Sequence, residues 1–414
     1  MVVAPSHWQL LISLSPSNIH KHIRAFMKTN TFRHRWGKLL HPVMACVTLA
    51  VFGMLMLPVS STADEPKTDI GTKAGQMLMI GFRGLAVDSR SPIMQDIRNR
   101  NIGGVILFDY DVPSSSPVRN ISSGQQVKNL VSDLQKAASI PLFIAIDQEG
   151  GKVCRLKEKF GFPPSVSAQY LGSLNSVETT KRYADATAET LASMGINLNF
   201  APVVDLNVNP DNPVIGRLER SFSDDPAVVT RHALTVIDSL HNHGVLSAIK
   251  HFPGHGSSIN DSHKGFVDIT DTWSTEELRP FEDIVKSGRC DMVMTAHIFN
   301  GKLDHVWPAT LSSRVTGEIL RGNMGYAGVV VSDDMQMNAI RQHYGLETAI
   351  ERAILAGVDI LVFANNSVFE EDIASLAIAI IEKLVRKEKI PAKSIDESCA
   401  RIIKLKEKLA ISQK

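Results

Sequence analysis

The chain has little of what marks a disulfide-rich, metal-binding or nucleic-acid-binding protein. Its 414 residues include only four cysteines, which lie far apart without CxxC or Cys/His spacing, so neither a zinc site nor a disulfide framework is predicted. We expect the three beyond the N-terminal region, Cys154, Cys290 and Cys399, to be free thiols. The formal net charge of +1 gives no electrostatic reason to bind nucleic acid. The composition, 44% hydrophobic and 21% charged, is that of a folded protein with a large core.

An uncharged apolar run near the N-terminus, residues 43–59, predicts export. Basic residues precede this run, and small residues ending in Ala63 follow it. This order is typical of a secretory signal peptide, with cleavage expected after Ala63. An uncleaved membrane anchor is the alternative, because seventeen apolar residues lie near the lower limit for a spanning helix. The sequence therefore predicts a signal peptide or membrane segment over residues 1–63, and a periplasmic or extracellular location.

Short apolar runs alternate with helical stretches from Asp64 onward. Eight of the runs are continuous rather than alternating, as expected for strands of a parallel sheet that is covered on both faces. They are residues 77–82, 104–108, 142–146, 198–201, 246–250, 292–296, 328–332 and 360–363. The helical stretches include residues 177–194, 226–243, 275–287, 346–356 and 394–409. This alternation predicts an α/β fold with one domain, a (β/α)₈ TIM-type barrel.

An open, doubly wound sheet is the alternative architecture for the same alternation. That fold usually carries a Gly-rich phosphate-binding loop after its first strand. Residues 81–84, which follow the first predicted strand here, do not match that pattern. The barrel is therefore favoured.

Charged residues and imidazoles follow five of the predicted strands. They are Asp147, Glu149, Asp205, Lys250, His251, His297, Asp333 and Asp334. A single aspartate after a strand is typically a helix cap. In a barrel, however, the C-terminal ends of all strands meet at one rim, where active sites lie. The pattern therefore predicts a polar cleft suited to a polyhydroxylated ligand, which needs many directed hydrogen bonds.

Several motifs occur in order between about Gly75 and Ala364. They are DQEGG at 147–151, FAPVVD at 200–205, ERSF at 219–222, KHFPGHG at 250–256, DSH at 261–263 and SDDM at 332–335. Together they resemble the glycoside hydrolases of family 3, and specifically the bacterial β-N-acetylhexosaminidase branch. The resemblance implies a (β/α)₈ glycoside hydrolase domain over residues 64–414. The sequence departs from that branch at Ser257-Ser258, where Asp-Thr is more usual, and this bears on the loop more than on the chemistry.

The resemblance also implies roles for individual residues. The family's nucleophile in a retaining mechanism is the aspartate directly after the serine, here Asp333. Its acid/base is a histidine on a mobile loop, here His263, paired with Asp261. The sugar-binding residues map onto Asp147, Arg155, Arg220, Lys250 and His251.

The residue types suit these roles, although alternatives remain at several positions. An imidazole titrates near neutrality, which suits His263 to proton transfer. Asp334 competes with Asp333 as the nucleophile, but adjacent side chains of an extended strand point oppositely, so only one can face the anomeric carbon. Lys250 could instead form an ion pair with a rim carboxylate. Structural roles are the alternative for Arg155 and Arg220, and the expectation for His255 and His297.

The predicted function is retaining hydrolysis that releases terminal β-linked N-acetylglucosamine from peptidoglycan- or chitin-derived glycans. Phosphorolysis is one alternative, because a neutral histidine does not repel an incoming phosphate as a carboxylate would. A non-catalytic sugar-binding protein is another. The mechanism requires no metal and no cofactor. We expect a monomer that acts on a carbohydrate, does not bind nucleic acid, and contacts a membrane only through its N-terminal segment if that is uncleaved.

Overall fold

The computed structural model describes residues 70–411. The export segment predicted over residues 1–63 lies outside the described residues and stays a prediction. Within the described part, no helix combines the length and the apolar character that a membrane span requires. Cys154, Cys290 and Cys399 are free thiols in the structure.

Eight parallel strands close into a barrel, in which each strand pairs with its neighbours in chain order and the last pairs with the first. The strands are β1 (Leu78–Gly81), β2 (Gly104–Leu107), β3 (Phe143–Ile146), β4 (Leu198–Asn199), β5 (Leu246–Phe252), β6 (Met292–Thr295), β7 (Val329–Asp334) and β8 (Ile360–Phe363). The predicted (β/α)₈ barrel is thereby confirmed. Every predicted strand is present, and its ends shift by two residues or fewer.

Helices connect the strands and cover the outside of the barrel. They are α1 (Ile70–Gln76), α2 (Pro92–Arg100), α3 (Gly124–Ala137), α4 (Ala168–Leu174), α5 (Val177–Ser193), α6 (Pro226–Asn242), α7 (Arg279–Lys286), α8 (Asn338–Tyr344), α9 (Leu346–Ala356), α10 (Ile373–Arg386) and α11 (Ala392–Ile411). A π-helical segment spans Arg314–Asn323, and 3₁₀ turns span Glu158–Phe160, Thr275–Leu278 and Ala309–Leu311.

One predicted helix is divided in the structure. Residues 275–287 form a 3₁₀ turn and then α7, rather than a continuous α-helix. Pro280 stands in the first turn of α7, where its missing N–H costs no hydrogen bond. The α-helix is therefore favoured from Arg279 onward, and Thr275–Leu278 keeps the tighter 3₁₀ geometry.

Side-chain caps fix where several helices begin. Ser123 accepts a hydrogen bond from the backbone N–H of Gln126 at the start of α3, and Ser176 does the same for Thr179 at the start of α5. Such caps satisfy amide groups that have no partner within the helix. The capped helices then present apolar faces to the strands.

The strands are apolar along most of their length because both faces are covered. Every residue of β1, β2, β3, β6 and β8 is buried, as expected for a parallel barrel. Polar side chains gather where the strands end, as in Lys250 of β5 and Asp333 of β7. The fold thereby brings residues that are far apart in sequence to a single rim.

Candidate active site

A cleft of about 270 Å³ opens at the C-terminal rim of the barrel. Seven of the eight site residues predicted from the sequence line this cleft. They are Asp147, Arg155, Arg220, Lys250, His251, His263 and Asp333. The eighth, Asp261, is hydrogen-bonded to His263. The fold therefore brings all of the predicted site residues to one place, with apolar side chains such as Phe108 and Met294 between them.

Asp333 at the end of β7 is ionised at neutral pH. Burial alone would raise the pKa of this carboxyl group. The nearby imidazoles of His297, His251 and His263 outweigh burial and, with the backbone N–H of Asp334, hold the pKa at about 2. An ionised carboxylate at the end of a rigid strand can act as a nucleophile without first losing a proton.

Asp334 is engaged differently, although it also reaches the wall of the cleft. Its Oδ1 accepts hydrogen bonds from the backbone N–H groups of Gln336 at 3.0 Å and Ala364 at 3.1 Å. Burial raises the pKa of Asp334 to about 6, against the effect of these two donors and with the help of the charge on Asp333. Asp334 therefore connects the end of β7 to the residues after β8.

His263 and Asp261 form a pair on the loop that follows β5. Both the backbone N and the ring Nδ1 of His263 lie 2.9 Å from Oδ1 of Asp261. With Nδ1 donating to Asp261, Nε2 is the ring nitrogen available for proton transfer. Burial lowers the pKa of His263, but the bond to Asp261 and the charge of Asp333 outweigh it, so the pKa lies above its usual value. The imidazolium form is thus favoured beside an ionised Asp333.

A buried ionic network forms the side of the cleft near β3 and β5. Lys250 Nζ lies 2.8 Å from Asp147 Oδ1 and 2.7 Å from Glu149 Oε1. Glu149 also accepts two 2.7 Å hydrogen bonds from the Arg220 guanidinium, and Arg155 lies 3.5 Å from Asp147. Burial raises the pKa of Glu149, but Arg220 and Lys250 outweigh it and hold the pKa well below its usual range. The ion pair considered as an alternative role for Lys250 is therefore present.

Asp205, after β4, fixes the orientation of His251. Its carboxylate accepts hydrogen bonds from His251 Nδ1 at 2.6 Å, from the His251 backbone N–H at 3.1 Å and from the His255 backbone N–H at 2.7 Å. Because Nδ1–H donates to Asp205, Nε2 of His251 accepts from Arg220, 3.2 Å away. Both ring nitrogens of His251 thus have hydrogen-bond partners within the protein.

Glu149 and Asp205 were not among the predicted site residues. Both follow strands and lie within the DQEGG and FAPVVD motifs, so their position at the rim was predictable from the sequence. The sequence could not show which carboxylate pairs with which cation, because Glu149 and Arg220 lie 71 positions apart. Such pairings depend on the closed barrel rather than on local spacing.

Comparison with known proteins identifies the family. The model described as the glycosyl hydrolase family 3 N terminal domain matches residues 69–405. The chain belongs to glycosyl hydrolase family 3. The resemblance inferred from the motifs, including that to the β-N-acetylhexosaminidase branch, is confirmed.

Relatives in this family cover most of the chain. Beta-hexosaminidase A of Pseudoalteromonas piscicida is 35% identical over 393 residues, which cover 84% of this chain and 63% of that protein. A beta-hexosaminidase of Tolumonas auensis is 34% identical over 292 residues, which cover 70% of this chain and 83% of the relative.

Solved structures from the family share the fold. A family 3 beta-N-acetylglucosaminidase from a Paenibacillus species superposes with a TM-score of 0.76 at 34% identity, covering 83% of this chain and 63% of that one. A beta-N-acetylhexosaminidase from Beutenbergia cavernae gives a TM-score of 0.74 at 27% identity, covering 82% of this chain and 98% of that one. The chain thus spans less than two thirds of the Pseudoalteromonas and Paenibacillus proteins.

Proposed function

We propose that the protein is a retaining β-N-acetylhexosaminidase that releases terminal β-linked N-acetylglucosamine through a covalent glycosyl intermediate on Asp333. The observation that carries this proposal is the ionised Asp333 in the same cleft as the His263–Asp261 pair. A retaining glycosidase needs a nucleophile on one side of the sugar and a proton donor near the leaving oxygen. The names of the relatives, beta-hexosaminidase and beta-N-acetylglucosaminidase, support an amino sugar as substrate.

In the first step, Asp333 attacks the anomeric carbon and the bond to the leaving oxygen breaks. The proton on Nε2 of His263 moves to that oxygen, so the aglycone leaves as a neutral alcohol. In the second step, the now neutral imidazole takes a proton from water as the water oxygen attacks the anomeric carbon and frees Asp333. Asp261 holds the histidine tautomer and stabilises the charged ring.

The buried ionic network positions the sugar for this attack. Asp147 is held ionised between Lys250 and Arg155, because the effect of these cations on its pKa outweighs burial. An ionised carboxylate can accept hydrogen bonds from two adjacent sugar hydroxyls. Lys250 is only 2% exposed, so in this mechanism it orients Asp147 and Glu149. A preformed network of this kind does not have to reorganise when charge develops at the reacting carbon.

The stereochemistry of the first product tests the proposal. Proton NMR of the reaction with an aryl β-N-acetylglucosaminide should show the β-anomer of N-acetylglucosamine first, and the α-anomer only after mutarotation. An aryl β-glucoside is the matched control for the acetamido group and should react much more slowly. Initial formation of the α-anomer, or equal rates on the two glycosides, would contradict the assignment.

Phosphorolysis is a second candidate, favoured by one specific feature of the site. The proposed acid/base is an imidazole rather than a carboxylate, so an incoming phosphate meets less repulsion from this group. Running the reaction with and without phosphate separates the two. Accumulation of the sugar 1-phosphate would assign phosphorolysis. Complete failure to cleave any aryl amino sugar would instead favour a non-catalytic sugar-binding protein.

The source of the substrate and the location of the protein are further proposals. The apolar run at residues 43–59 supports export, which would bring the protein to glycans derived from peptidoglycan or chitin. Cell fractionation of the full-length chain tests this. Recovery in the periplasm or medium is expected, and recovery of the full-length chain in the cytosol would contradict it.

A further inference from the structure

The loop that carries His263 has two parts that are held in different ways. We call residues 253–258 the loop base and residues 259–266 the loop tip. The base follows β5 directly and is buried, whereas the tip carries exposed side chains, with Ile259 68% exposed. His263 and Asp261 both lie in the tip.

The loop base is fixed from two sides. On one side, Glu277 Oε2 accepts the backbone N–H of Gly256 at 2.9 Å. On the other, the side-chain amide of Asn212 donates to the carbonyl oxygens of His255 and Gly256 at 2.7 and 3.1 Å. A Cβ added at Gly256 would lie 1.8 Å from the carbonyl oxygen of Leu206. The base is therefore packed against its neighbours too closely to shift as a unit.

The loop tip has a single hydrogen-bonded connection to this base among the residues that the structure describes. Ser262 Oγ lies 3.2 Å from His255 Nε2, and both side chains are buried. The bonds between Asp261 and His263, and between Lys264 N and Asp261 O, stay within the tip. At the far end of the tip, the Phe266 ring makes tilted contacts with the rings of Phe299 and His343.

Both ring nitrogens of His255 face serine hydroxyls. Nδ1 lies 2.6 Å from Ser258 Oγ, which is also 3.0 Å from the carbonyl oxygen of His255 and accepts from the Asn212 amide at 3.0 Å. In a neutral ring one nitrogen donates and the other accepts, so either tautomer lets His255 and Ser262 share a hydrogen bond. Burial lowers the pKa of His255 to about 4. The ring is thus neutral at pH 7.

We propose that the Ser262–His255 hydrogen bond is a latch that places the loop tip so that His263 meets the leaving oxygen of the substrate. This inference rests on the function proposed above. Ser262 directly precedes His263, so a displaced Ser262 carries the acid/base with it. The Asp261–His263 bond lies within the tip and survives the displacement, so the imidazole keeps its tautomer and loses its position relative to Asp333. Ser262 and His255 are therefore positioning residues.

The test compares Ser262→Ala with Ser262→Thr on two substrates. Ser262→Ala should reduce kcat/KM on an alkyl glycoside or disaccharide by about 3- to 10-fold, the range for one hydrogen bond between neutral groups. The loss on a dinitrophenyl glycoside should be smaller, because that leaving group needs little protonation. Ser262→Thr keeps the hydroxyl and should recover most of the loss. Equal losses on both substrates, or no recovery with threonine, would overturn the latch.

A second readout does not depend on activity. Amide hydrogen exchange, followed by mass spectrometry, should speed up in residues 259–266 of Ser262→Ala and stay unchanged in residues 253–258. Unchanged exchange in the tip would overturn the latch even if activity falls. If the wild-type protein cleaves no glycoside, the proposed hydrolase function fails, whereas the exchange comparison still decides whether Ser262 holds the tip.

Discussion

Asp333 and His263 line the same cleft, but the contacts around Asp333 are long-range whereas those around His263 are mostly local. Asp333 ends a strand of the barrel, beside a network in which Lys250, Arg220 and Glu149 join residues up to 103 positions apart. His263 stands on an exposed loop tip, and its carboxylate partner Asp261 is two residues away. Long-range contacts of the fold thus order the strand-end region, whereas the loop tip is held by bonds within itself and by few contacts outside it, such as Ser262 to His255.

This difference fits the tasks that the mechanism gives to the two residues. The nucleophile forms and breaks one bond to one carbon, so accurate placement favours a rigid strand end. The acid/base must protonate a leaving oxygen and then deprotonate a water in a second step. A histidine on a loop with few outside contacts can adjust between the two partners. Changes in the strand-end region should therefore affect all substrates, and changes in the loop tip should affect some far more than others.

The largest expected effect is that of Asp333→Asn. Removing a covalent nucleophile typically lowers kcat by about 10⁴- to 10⁶-fold, and the loss should be similar for good and poor leaving groups. Steady-state kinetics on an activated aryl N-acetylglucosaminide measure it. Asp334→Asn is the matched control, because its retained Oδ1 can still accept from Gln336 and Ala364. An equal loss in both variants would undo the distinction between the two aspartates.

His263→Ala should have the next largest effect, and one that depends on the substrate. General acid catalysis contributes about 10²- to 10⁴-fold, so kcat/KM on a disaccharide should fall by that factor. An activated aryl glycoside should lose far less in its first step. Matched kinetics on the two substrates provide the measurement. Equal losses on both would mean that His263 does not donate the proton.

Substitutions in the buried network should also lower the free energy of unfolding more than substitutions in the loop tip. Glu149→Ala leaves two buried cations without their shared partner, and breaking a buried ion pair costs about 3–5 kcal/mol of unfolding free energy. Asp261→Ala, at the partly exposed pair of the loop tip, should cost about 1 kcal/mol or less. Urea unfolding of the two variants gives both values. Comparable losses would show that the loop pair is as deeply integrated as the network.

Acid should also weaken the network. The pKa of Glu149 is depressed below its usual 4.5, so the stability it contributes is full above pH 4.5 and is lost as the pH falls below that value. Glu149→Gln should therefore show a shallower fall in melting temperature between about pH 5 and 3 than the wild type. Parallel curves would argue against a folded-state origin of the low pKa.

The pH dependence of kcat/KM should reflect the protonation state of His263 on the loop tip. His263 must be protonated in the first step, so kcat/KM on a disaccharide should fall by about tenfold per pH unit above its pKa. That pKa is raised above 6.5, so the alkaline fall should begin above pH 6.5. The acid limb from Asp333 should lie near pH 2. An alkaline limb that is unchanged in His263→Ala would assign it to another group.

Much of this architecture was predictable from the sequence, because its determinants are local or periodic. The continuous apolar runs located all eight strands, and the residues after them located the rim. The Asp261–His263 pair was implied by the resemblance to family 3, and its members are close in sequence. The roles of Glu149 and Asp205 were not predictable, since each is defined by partners more than 40 residues away. The Ser262–His255 contact was not predictable either, because it depends on how the loop after β5 folds back on its buried base.

The proposed mechanism requires that Asp333 becomes covalently glycosylated. The most direct test is to trap the intermediate with a fluorinated N-acetylglucosamine analogue that carries an activated leaving group, and then to sequence the labelled peptide by mass spectrometry. One sugar per protein molecule, attached to Asp333, is the expected result. A label on Asp334 or another residue, or no label while the analogue is turned over, would contradict it.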